Sequence, residues 1–93
     1  MPFRYDVSNE VEATQTRLFK KDRKTYESLM KKIEEIASRN EKTIGFYKNL
    51  RYGLKQYKRA HVAKSFVLLF KVFKEEKFIL FDKFGHHDDI YKK

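Results

Sequence analysis

Residues 66–73 read FVLLFKVF. Successive side chains of a β-strand point to opposite sides of the sheet. Here both sides are apolar from Phe66 to Phe70. Such a strand belongs in the middle of a sheet, where something covers each face. The uninterrupted apolar run FVLLF is far too short to cross a bilayer or to form the core of a signal peptide. The rest of the chain therefore has to supply neighbouring strands and cover.

The neighbours are legible. YKRAHVA, residues 57–63, reads as a strand in which Lys58, Ala60 and Val62 alternate with Tyr57, Arg59 and His61. Ala60 and Val62 mark its core side, so Tyr57, Arg59 and His61 are expected on the other. Lys64 and Ser65 make a turn into 66–73. KEE, residues 74–76, makes the next hairpin, and KFILFDKF, residues 77–84, is the last strand. Strict alternation sorts that strand into Phe78, Leu80, Asp82 and Phe84 on one side, Ile79, Phe81 and Lys83 on the other. Gly85 is expected to end it, releasing the segment HHDDIYKK, 86–93.

Cover comes from the N-terminal half. FRYDVS, residues 3–8, alternates Phe3, Tyr5 and Val7 with polar residues and reads as a half-buried strand. Asn9 is the expected cap of a first helix running to about Lys20, with Val11, Leu18 and Phe19 as a thin apolar stripe. Asp22 caps a second helix, in which Tyr26, Leu29, Met30, Ile33, Ile36 and Ala37 recur at helical spacing as far as about Asn40. The polar turn KKDR between them predicts an antiparallel helical hairpin. Thr43 to Gln56, broken by Gly45 and Gly53, reads as a loop with one short turn of structure. The expected fold is a single α+β domain spanning 1–93: an N-terminal strand, a helical hairpin, then a three-stranded antiparallel meander completing a mainly antiparallel sheet.

At 93 residues the chain supports one small core. It contains no cysteine, which excludes disulfides and thiolate metal sites and fits a reducing compartment. A cytoplasmic protein with no membrane segment is expected. The net charge of +9 is uneven. Residues 1–43 hold 10 basic against 8 acidic side chains, a net of +2, and residues 44–93 hold 12 against 5, a net of +7. Lys48, Arg51, Lys55, Lys58, Arg59 and Lys64 follow one another without an intervening acid. That asymmetry predicts a polyanionic partner, either nucleic acid or an acidic protein segment.

The order of elements, the segment KNLRYGLKQYKRAHVAKSFVLLFKV (48–72) and the ending FDKFGHHDDIYKK together resemble the RelE/ParE superfamily, the toxins of type II toxin–antitoxin pairs. The paired histidines before the final tyrosine are similar to an archaeal RelE-like subgroup. The resemblance implies one of two activities. RelE-like members are metal-independent endoribonucleases that cut mRNA, usually on the ribosome; ParE-like members inhibit DNA gyrase. It also implies a cognate acidic helical antitoxin, RelB-like, in a toxin–antitoxin hetero-oligomer, and no cofactor. Lys58 matches a basic strand residue of RelE-type enzymes, Tyr91 the terminal tyrosine, and His87 a basic residue four positions before it. Ala60, Val67 and Gly85 stand where basic residues often occur in the family. These departures motivate a third reading, a non-catalytic RNA- or antitoxin-binding module.

Cutting RNA without metal requires a base for the 2′-hydroxyl, an acid for the departing 5′-oxygen and cations for the phosphate. Histidine, with an unperturbed pKa of about 6.5, suits the first two tasks. His61, His86, His87 and Lys58 are the acid–base candidates, and Arg51, Lys55 and Arg59 the RNA-binding cations. Tyr91 offers a ring on which a base can stack. His86, His87, Asp88 and Asp89 lack the spacing of a metal site, because neighbouring side chains on an extended segment diverge.

Overall fold

The structure is a computed structural model and describes residues 3–40, 42–49 and 56–90. The elements run β1 (Arg4–Val7), α1 (Asn9–Lys21), α2 (Arg23–Ala37), a 3₁₀ turn (Ile44–Phe46), β2 (Lys58–Val62), β3 (Phe66–Phe73), β4 (Phe78–His86) and α3 (His87–Ile90). One four-stranded sheet has the order β1-β4-β3-β2. β1 lies parallel to β4, and the other pairs are antiparallel. The expected architecture is therefore present.

The junctions have identifiable causes. Ser8, not Asn9, caps α1: its extended backbone lets Oγ accept from the Val11 N–H at 3.1 Å. The same hydroxyl donates to the Asp82 carbonyl at 2.7 Å, and the Ser8 N–H donates to the Phe81 carbonyl at 2.9 Å. One serine thus ends β1, starts α1 and fastens both to β4. Asp22 separates the two helices. Its N–H donates to the Leu18 carbonyl, while its carboxylate accepts from the Thr25 N–H and hydroxyl at 3.2 and 2.7 Å. α2 stops at Ala37, where the carbonyl accepts from the Phe3 N–H at 2.8 Å.

The helical hairpin covers one sheet face. Val11, Leu18, Leu29, Ile33 and Ile36 pack on Ala60, Val62, Leu68, Phe70, Ile79, Phe81 and Phe84. Ile79, Phe81 and Phe84 share this side because β4 departs from strict alternation. The register passes from Leu69↔Lys83 to Phe70↔Phe81, leaving Asp82 as an extra residue. This bulge reverses the phase of the strand, so the expected grouping of Phe84 with Leu80 is wrong. β4 also runs on through Gly85 to His86, where an end at Phe84 was expected. The hydrogen bond from the His87 N–H to the Ser65 carbonyl, 2.7 Å, holds the strand's end against the β2–β3 turn.

Val67, Leu68, Leu69 and Phe70 are all at most 1% exposed, as a central strand requires. Val67 and Leu69 face away from the helices. They are covered by Tyr57 and by Ile90 of α3, which form a second, smaller apolar cluster with them.

Candidate functional site

The sheet face away from the helices is the one that carries chemistry. Along β2, Ala60 and Val62 are buried while His61 is exposed and Arg59 partly so. The register places Arg59 beside Leu69 and His61 beside Val67, with Lys83 and Gly85 one strand further on. His61 and Gly85 thus flank Val67, two strand spacings or roughly 10 Å apart. Over this rung lies α3. A β-carbon built on Gly85 would lie 3.7 Å from Ile90 Cδ1 and Cγ1, so the side chain of Ile90 sits directly above Gly85. Seated there, Ile90 holds α3 on the same face as Arg59 and His61. Val67 and Gly85, the two places where the resemblance leads one to expect arginines, face each other in the register and form the floor of this seat.

The paired histidines part company. His87 begins α3, is half exposed and has Nδ1 3.6 Å from Asp88 Oδ1. His86 ends β4 opposite Phe66 and meets that ring edge-on at 5.9 Å. Its Nδ1 accepts from the Asp88 N–H at 3.3 Å. Phe66 packs on the main core, so His86 belongs to the helix side of the sheet. It opens onto a groove of about 540 Å³ among α1, the end of β4 and α3, bounded also by Glu10, Arg17, Gly85 and Ile90. His86 is therefore separated by the sheet from His61.

Lys58 is likewise on the helix side, in phase with Ala60 and Val62. Its Nζ donates to the Tyr47 carbonyl at 3.0 Å and to Asn49 Oδ1 at 2.9 Å. Burial, and then the positive charge of Lys74, hold its pKa below the ordinary lysine range. Arg51, Lys55 and Tyr91 lie outside the described residues. Of the acid–base candidates, the structure brings His61 and α3, which starts at His87, to one face, and places Lys58 and His86 elsewhere.

A pair not anticipated from the sequence underlies the seat. Tyr57 is 7% exposed, and its hydroxyl donates to Asp82 Oδ2 at 2.5 Å. The hydrogen bond to Asp82, together with burial, pushes the Tyr57 pKa up to about 12. The Lys71 ammonium stands 4.9 Å from the centre of the Tyr57 ring. A partly buried carboxylate following the apolar run FILF needs a partner, and Asp82 in FILFDKF carried that signal. Among the described residues, no group of three or more His, Cys, Asp or Glu side chains converges as a metal site. No helix among them is long and apolar enough to cross a membrane.

A helical hairpin on one side of a four-stranded sheet, with Arg59 and His61 on the opposite side, defines a small two-layer α+β domain. A chain of the RelBE2 toxin–antitoxin complex of Mycobacterium tuberculosis superposes with a TM-score of 0.65 at 18% identity, covering 92% of this chain and 99% of that one. YafQ of Escherichia coli superposes at 0.59 with 21% identity over 96% of this chain and 98% of its own. No protein-family model matches the chain. Sequence relatives are archaeal. A Methanocaldococcus jannaschii protein named as a toxin, RelE4, is 46% identical over 77 residues, 83% of this chain and 78% of the relative. An uncharacterised Methanosarcina mazei protein is 32% identical over 85 residues, 91% and 94% of the two chains. The chain belongs to the RelE family of toxins.

Proposed function

We propose that this toxin is a metal-independent endoribonuclease that cuts mRNA, acting on the ribosome, and that an acidic helical antitoxin neutralises it. The observation that carries the reading is the seat of Ile90 on Gly85, Val67 and Leu69. It sets α3, with Tyr91 next in the chain, on the face that bears Arg59 and His61. In this reading His61 and His87 exchange protons with the 2′- and 5′-oxygens, and Arg59, Arg51 and Lys55 meet phosphates. Tyr91 stacks on a base. His86, on the other side of the sheet, takes no part in proton transfer.

The partner rests on two lines of support. RelBE2 is a toxin–antitoxin complex, and a chain of the E. coli DinJ–YafQ complex superposes here with a TM-score of 0.57. The +7 half of this chain favours an acidic companion.

Primer extension on mRNA after brief induced expression tests the reading. Discrete new 5′ ends, lost in His61→Ala and Tyr91→Ala variants, are expected. Intact mRNA together with gyrase-dependent DNA breaks would replace it with the ParE-type activity. Intact mRNA and no breaks would leave a binding module.

A further inference from the structure

We infer that Lys58 is a positioning residue, a clamp that holds the segment 47–49 against β2, and not a group that touches RNA. The inference deepens the ribonuclease reading and rests on it for the catalytic consequence only. Three observations place the clamp. The Lys58 ammonium is bound from two sides of one short segment, by the Tyr47 carbonyl and by Asn49 Oδ1. Asn49 and Lys58 form an antiparallel bridge outside the named strands, and the Arg59 N–H donates to the Lys48 carbonyl at 3.1 Å. Lys58 is in phase with the buried Ala60 and Val62, on the side of the sheet opposite Arg59 and His61.

The consequence follows from chain connectivity. Asn49 and Lys58 flank Arg51 and Lys55 in the sequence. The bridge between them fixes the two described positions on either side of that basic stretch. A charge-assisted hydrogen bond to a carbonyl and another to an amide oxygen hold more firmly than neutral ones. An ammonium engaged in this way has few protons left for a substrate phosphate. Arg59, whose own N–H takes part in the bridge, is set on the open face by the same arrangement.

The test compares Lys58→Met, Lys58→Arg and Asn49→Ala with the wild-type chain by two readouts. The first is amide hydrogen exchange, which needs no activity. In Lys58→Met the Arg59 amide should exchange about tenfold faster, the scale of one lost charged hydrogen bond, while the amides of Leu68 and Phe70 keep their protection. Lys58→Arg should restore most of that protection. The second readout is steady-state cleavage of mRNA on programmed ribosomes across a pH series. Lys58→Met and Asn49→Ala should raise KM by a similar factor, with an unchanged pH profile, and the double variant should be no worse than either alone. Unaltered Arg59 exchange overturns the clamp. So does a loss of about 10²–10⁴-fold in kcat at constant KM with a vanished pH limb, the behaviour of a lost acid–base group. If the wild-type chain cuts no RNA, the ribonuclease reading fails while the exchange arm still decides the clamp.

Discussion

The hydroxyl of Tyr57 shows how much one side chain does at this face. Its bond to Asp82 spans β3 and ties β2 to the bulge in β4. Because the folded-state pKa of Tyr57 is raised to about 12, the folded chain keeps this proton after the unfolded chain, titrating near 10, has lost it. The stabilisation is thus complete below about pH 10 and declines as pH rises toward 12. Thermal melts at pH 9 and pH 11 should show a larger drop in Tm for the wild-type chain than for Tyr57→Phe, which lacks the titrating group. At pH 7 the same variant should be less stable by about 1–2 kcal/mol, since the partly buried Asp82 loses its hydrogen-bond donor. The catalytic readings make a separate prediction. His61→Ala and His87→Ala should each slow cleavage by roughly a hundredfold or more while leaving Tm unchanged, because both rings are exposed and neither packs in a core. Equal rates for either variant in a primer-extension time course would remove that residue from the mechanism.

β4 and α3 together decide what the open face can do, and here the sequence was legible only in part. The central strand, the helical hairpin and the phase of β2 follow from spacing alone. FVLLFKVF occupies β3 to the residue, and Asp22 caps α2 as its position suggests. The bulge at Asp82 was not legible, because alternation assumes one residue per rung and an inserted residue leaves no mark of its own in a run of mixed side chains. That single insertion moved Phe84 into the core and Gly85 under Ile90. Lys58 lies on the helix side of the sheet, where its phase with Ala60 and Val62 already placed it, although its type matches the family. Tyr91, Arg51 and Lys55 lie outside the described residues, so their assignments remain readings from the sequence. The seat itself is testable. Gly85→Ala should fold and cut normally, since the added methyl meets Ile90 at an ordinary contact distance of 3.7 Å. Gly85→Arg, in contrast, should lift Ile90 from Val67, and Ile90→Asp should do the same from above. Both are expected to reduce cleavage at least tenfold with the far-ultraviolet circular dichroism retained, and full activity in Ile90→Asp would show that α3 is dispensable.

The whole molecule is divided by its sheet: helices cover one side, and Arg59, His61 and α3 lie on the other, with most of the surplus charge in residues 44–93. Binding of an acidic helical antitoxin should therefore weaken as salt rises from 50 to 500 mM, because surface charges are screened over about 10 Å at 0.1 M. Affinity indifferent to salt in a titration series would mean that apolar contacts dominate. Cleavage should survive exhaustive treatment with EDTA, and an activity lost to the chelator and restored by zinc would reopen a metal mechanism. One feature of the sheet also governs time. Among the described strands β1 pairs only with β4, so it has no neighbour until Phe78–Phe81, far along the chain, have been made. The helices between them can coil early, but the layer they rest on is closed only when β4 joins it. Contacts so distant along the chain make folding slow compared with a helical bundle of this size. A chain halted at Phe73 would lack β4, and with it both the partner of β1 and the seat of Ile90.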